Sequence, residues 1–228
     1  MKLIEGLRRL VDDMALYKDQ LEHSGEELRI SVRLTDTGDE ATIVVGEEIH
    51  VEDSVENLDL RINMEQATFK GLLSREADFG ALVGRSRMSD VRPINPEFLK
   101  PERVSAAFEV LKVMMNVFFT PGRHKVKELR GELAGDAHGA HPIPLVYWDG
   151  LRFAWYQIRR GEVLNEAGER DPYPQVVVPL RGRGTIVLDG EEMELRPSTA
   201  VYIPANSLHQ IRADEDIEAL WLAWKAPP

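Results

Sequence analysis

The sequence predicts two domains: an α+β domain built from helices and an antiparallel sheet, followed by an all-β domain. Three observations carry this. Apolar residues near the start recur at three- and four-residue steps, the spacing of a helix face. From Leu28 to Met64 they alternate with polar residues, the period of half-buried strands. From Leu145 onward the chain is a series of short β-branched and aromatic runs cut by Gly and Pro turns. The boundaries that follow are residues 1–122 for the first domain, 123–144 for a linker and 145–228 for the second.

Leu3, Leu7, Leu10, Met14, Tyr17 and Leu21 predict one amphipathic helix ended by Ser24-Gly25. Leu28 to Leu34, Ala41 to Val45, Ile49 to Val51 and Leu58 to Met64 predict four alternating strands in an antiparallel meander. The period then changes. Glu65 to Arg75 and Phe79 to Val83 are short helical pieces, and Gly84 to Pro96 is irregular. Val104, Ala107, Phe108, Leu111, Met114, Met115 and Phe118 form a long apolar stripe at helical spacing, stopped by Pro121-Gly122. This order, with the segment L-D-L-R-I-N-M-E-Q-A-T-F-K-G-L-L, resembles the sterol-carrier-protein-like fold. The resemblance implies an apolar tunnel for an acyl or sterol ligand, or an accessory and dimerisation module. Met114 and Phe118 are the candidate lining residues, and ordinary core is the alternative.

Arg123 to Pro144 has mixed charge, several Gly and no period, which predicts the linker. Leu145 to Trp148, Leu151 to Ile158 and Ile217 to Trp224 are strands of the second domain. Within Gly168 to His209, Val176 to Leu180, Thr185 to Leu188, Glu192 to Leu195 and Ala200 to Ile203 are further strands. Asp189-Gly190 marks a two-residue hairpin, since both central residues of the favoured turn have positive φ. Strand, R-G-R-G, strand, D-G, strand, P-S-T-A-V-Y-I-P-A-N-S-L-H resembles the core of a cupin, a double-stranded β-helix or jelly-roll barrel. The resemblance implies a divalent metal held by three His and one Glu. Of these His209 remains; Glu169 and Asp171 stand at the two other His positions and Gln175 at the Glu position.

Composition bounds the rest. A net charge of −11 disfavours nucleic acid and anionic membranes, which reward clustered Lys and Arg. The absence of Cys excludes thiolate chemistry and fits a reducing compartment. Met1 to Val11 lacks the apolar segment of a secretory signal, and no run is long enough to span a bilayer, so a cytoplasmic protein is expected. Phosphate-cradling and nucleophile-elbow motifs are missing.

Several residues carry two readings. Glu169, Asp171 and His209 form either an oxygen-rich site suited to Fe, Mn or Mg, or a solvated loop beside a core histidine. Asp171 orienting His209 for metal-free acid–base chemistry is a third possibility. Gln175 suits hydrogen bonds to an organic ligand better than a cation. Trp155 and Tyr156, with Trp221 and Trp224, make an aromatic pocket or barrel packing and a dimer interface. Arg181 and Arg183 clamp an anion or face solvent; His138 and His141 lie three apart beside Gly139 and Pro142, in a loop. Two functions result. One is a non-catalytic binding or sensor protein with no cofactor, taking a small organic or lipid-like ligand as a homodimer. The other is a metal-dependent cupin enzyme of oxygenase or isomerase type.

Overall fold

The computed structural model describes residues 2–21, 27–85, 90–148, 150–165 and 169–225. They fall into two compact units, one from Met1–Val83 and Ser89–Lys127, the other from Gly84–Met88 and Glu128–Pro228.

The first unit begins with α1 (Leu3–Asp12), which buries Leu3, Leu7 and Leu10. The single long helix expected from the sequence is broken here. A 3-10 segment, Ala15–Leu21, follows, with Tyr17 outside helical dihedrals. The predicted stop at Ser24-Gly25 lies outside the described residues. β1 (Leu28–Leu34), β2 (Glu40–Val45) and β3 (Ile49–Glu52) form the expected antiparallel meander. β4 (Leu60–Met64) departs from it, lying beside β1 in parallel. The chain therefore crosses the sheet between β3 and β4. Thr42 donates its hydroxyl to the Ser54 carbonyl and Arg29 Nε donates to that of Glu56, fastening this crossover to the polar sheet face.

α2 (Gln66–Ser74) and α3 (Phe79–Val83) match the expected helical pieces. The stretch expected to be irregular ends in a strand, β5 (Asn95–Phe98), at the edge of the sheet order β3-β2-β1-β4-β5. An edge position tolerates Pro96, which cannot donate to a ladder. α4 (Val104–Val113) continues into a π-helical turn, Met114–Phe118, so the apolar stripe is not one regular α-helix. The core of this unit collects Leu7, Leu10, Ile30, Ile43, Ile62, Phe69, Met114 and Phe118. Gly6 is required by close approach. A Cβ there would lie 2.8 Å from the Phe69 ring and 2.9 Å from Leu73.

The second unit starts before the expected linker ends. β6 (His141–Trp148) pairs with β7 (Leu151–Ile158), and β8 (Val163–Leu164) is a short strand that the sequence pattern does not reveal. β9 (Gln175–Arg181), β10 (Gly184–Leu188), β11 (Glu191–Leu195) and β12 (Val201–Ile203) occupy the predicted stretches. Asp189 and Gly190 have φ of 47° and 94°, as the tight hairpin requires. β13 (His209–Ala213) is a further addition, and β14 (Ile217–Trp224) is as expected. Two antiparallel sheets result, ordered β11-β10-β13-β8 and β12-β9-β14-β7-β6. Their facing sides bury Ile158, Val177, Ile186, Leu195, Ile203, Ile211 and Ile217. No described helix is long and apolar enough to cross a membrane.

Gly6→Val adds volume where two helices touch and lowers the stability of the first unit by about 1–3 kcal/mol. A reduced urea midpoint at unchanged m-value is the expected result.

Candidate functional site

Register places the inward side chains of the five-stranded sheet in rows. One row runs Tyr147, Arg152, Ala223, Gln175, Ile203. The next runs Pro144, Ala154, Trp221, Val177, Val201, and the third holds Pro142, Tyr156, Ala219 and Pro179. Polar groups thus gather at the end where β9 begins, and apolar ones fill the other end. The facing sheet adds His209 at the start of β13, not at a strand's end as its neighbours in sequence implied. The segment before β9 is tied to the same end, through an Arg170–Leu208 bridge and a hydrogen bond from Asn206 N to the Asp171 carbonyl of 2.7 Å. Gly168, where the cupin-like segment opens, lies outside the described residues.

Gln175 is 2 % exposed. Its Oε1 accepts a 2.7 Å hydrogen bond from Trp221 Nε1. Tyr156 packs edge-on against Trp221, ring centroids 6.0 Å apart. Burial, followed by the electronegative Tyr147, Asp171 and Glu169, raises the Tyr156 phenol well above the usual tyrosine range, and Arg152 opposes this only in part.

Arg152 faces inward from β7. Its guanidinium carbon lies 4.9 Å from the Tyr173 ring centroid and 5.6 Å from that of Tyr147. Nη1 donates to Asp171 Oδ2 at 3.4 Å, while Asp171 Oδ1 accepts from Tyr173 N at 2.8 Å. Glu169 Oε2 lies 3.1 Å from His138 Nδ1. His209 is 7 % exposed, with Nε2 2.6 Å from Asn165 Nδ2 and Nδ1 3.3 Å from the Ser207 carbonyl. These contacts are satisfied when Nδ1–H donates to the carbonyl and Nε2 accepts from the Asn165 amide.

A divalent cation needs lone pairs that converge. Among the described residues no three His, Asp or Glu side chains do so. Glu169, Asp171 and His209 each engage a different partner, and the Gln175 carbonyl oxygen is turned to Trp221. As placed, these groups do not fit the ligand set that the cupin resemblance implies.

The remaining candidates are dispersed. Trp155 stands on the opposite face of β7 from Tyr156, packed with Leu133 and Ile143. Met114 and Phe118, each 1 % exposed, belong to the core of the first unit. That unit has a cleft of about 680 Å³, but it is polar, lined by Arg29, Glu52, Asp59, Lys100 and Arg103 among others. Arg181 and Arg183 are exposed and pair with Glu218 and Glu194. His141 bridges Asp136 and Glu162. Arg152, Tyr147, Tyr173 and Asn165 are the residues that sequence reasoning missed. In L-R-F-A-W-Y-Q-I, Arg152 shares its alternation face with Ala154, Tyr156 and Ile158, and a lone charge on an apolar inward face is the signal that marks it.

Two facing antiparallel sheets with a polar group of side chains at one end define a jelly-roll barrel. Residues 159–225 match the family model for the Cupin domain, so the second unit contains a cupin domain. Among solved structures, a conserved protein of unknown function from Streptococcus pyogenes is 21 % identical, over 46 % of this chain and 90 % of that one, with a TM-score of 0.38. A Cupin 2 conserved barrel domain protein from Salinispora arenicola is 20 % identical, over 45 % and 90 %, at 0.40. A salicylate 1,2-dioxygenase from Pseudoaminobacter salicylatoxidans is 18 % identical, over 37 % and 26 %, at 0.35. No curated protein matches the sequence.

Because the folded phenol is raised above its unfolded value, the stability held by protonated Tyr156 is present below pH ~10 and falls as pH rises beyond it. In a spectrophotometric titration Tyr156 ionises only with unfolding of the barrel, and Tyr156→Phe removes that step.

Proposed function

We propose that this protein is a non-catalytic small-molecule-binding or sensor protein, whose cupin barrel takes an organic ligand without a metal. The observation that carries this reading is Gln175, buried at the barrel mouth with its carbonyl oxygen held by Trp221. A cation there meets amide hydrogens; an organic ligand with acceptor atoms meets a fixed donor. The commitment of His209 to Asn165 and Ser207 supports the same reading. The element order of the first unit supports a sterol-carrier-like fold. The tight packing of Met114 and Phe118 favours an accessory or association role for that unit over a lipid tunnel.

Native mass spectrometry with elemental analysis tests this. The expected result is an organic molecule carried through purification, less than stoichiometric metal, and loss of the molecule in Gln175→Leu. About one Fe or Mn per chain, lost in His209→Ala, overturns the reading in favour of a metal-dependent enzyme.

A further inference from the structure

The groups that face the barrel mouth from β7 and β9 are hydrogen-bond donors with capacity left over. Trp221 Nε1 is a donor only, so the Gln175 atom opposite it is the oxygen, and the amide presents Nε2 with two N–H groups elsewhere. Among the described residues Gln175 Nε2 has no hydrogen-bond partner. The Arg152 guanidinium carries five N–H donors, and among the described residues its one hydrogen bond is the 3.4 Å contact to Asp171. That contact is long for a charge-assisted bond, which is normally about 2.7–2.9 Å. Tyr147 and Tyr173 lie beside the guanidinium.

We propose that the ligand of this barrel is an organic monocarboxylate, gripped by the Arg152 guanidinium in exchange for its weak contact with Asp171 and completed by Gln175 Nε2. The inference rests on the ligand-binding reading above and names the ligand's chemistry. A carboxylate matches the guanidinium fork with two parallel hydrogen bonds, which Asp171, anchored by Tyr173 N, does not make. Arg152 and Gln175 sit in one register row two strands apart, roughly 10 Å between Cα atoms, with only the methyl group of Ala223 between them. That spacing leaves room for a carboxylate. The deeper row of Ala154, Trp221 and Val177 offers an apolar and aromatic floor for the rest of the molecule. Asp171 and Glu169 belong to the same end of the barrel, so a second negative charge on the ligand is opposed; this selects a monoanion over a phosphate ester. A cationic ligand is disfavoured by Arg152 and by the outward-turned amide hydrogens.

The test is binding to the full chain by calorimetry and tryptophan fluorescence, with benzoate and phenylacetate as probes and benzamide and phenylacetamide as uncharged counterparts. The acids bind and the amides bind at least tenfold more weakly. Arg152→Met weakens the acids by about ten- to a hundredfold, and Arg152→Lys falls in between, since it keeps charge but loses the fork. Asp171→Asn tightens the acids severalfold, because the internal competitor is gone; this variant serves if Arg152→Met misfolds on circular dichroism. Amides binding as well as acids, or acids indifferent to Arg152→Met and weakened by Asp171→Asn, overturn the carboxylate assignment while leaving an organic ligand in place. If neither acids nor amides bind, the carboxylate assignment falls, and the molecule that co-purifies decides the broader reading separately.

Discussion

An indole nitrogen has no lone pair to offer, and so the contact between Trp221 Nε1 and Gln175 leaves the buried amide a single orientation. The character of the barrel mouth follows from it. Turned the other way, the carbonyl oxygen would face the interior and join Asp171 and Glu169 as a lone-pair donor. Turned as it is, the mouth presents hydrogens. Removing either partner leaves a buried polar group unsatisfied, at a cost of about 1–3 kcal/mol, so the orientation is also tied to stability.

The same division of labour runs through the whole barrel. Its inner rows pass from Ile158 and Ile217 at one end to Arg152 and Gln175 at the other. The apolar end supplies burial, and the polar end sits on a wall already held by the hairpin and ladder hydrogen bonds. His209 and Asn165 show how the polar end is kept rigid. Asn165 has a φ of 60°, a left-handed conformation that asparagine tolerates better than most residues, and from there its amide reaches His209. Asp189, at the positive-φ turn, accepts a hydrogen bond from Leu208 N and holds the residue before His209.

The first unit obeys a simpler rule. Its sheet has one face of Ile, Val and Leu packed under helices and another of Arg, Glu, Ser and Thr crossed by the chain between β3 and β4. Asp59, 2 % exposed, sits at the end of that crossover and accepts from Arg29 N and Lys100 Nζ. A buried carboxylate is tolerated there because donors surround it.

Most strand positions and the Asp189-Gly190 hairpin are determined by the sequence alone, because alternation and turn chemistry act over a few residues. Tertiary structure alone decided the rest. The parallel pairing of β1 with β4, the strand β5 and the two-residue β8 depend on partners distant in the chain. The break after Asp12 and the π turn at Met114–Phe118 are packing outcomes that a helical period cannot register. Arg152 met Tyr147, Tyr173 and Gln175's row only when β6, β7, β14 and β9 came into register, since a side chain acquires neighbours from other strands only after the sheet has formed.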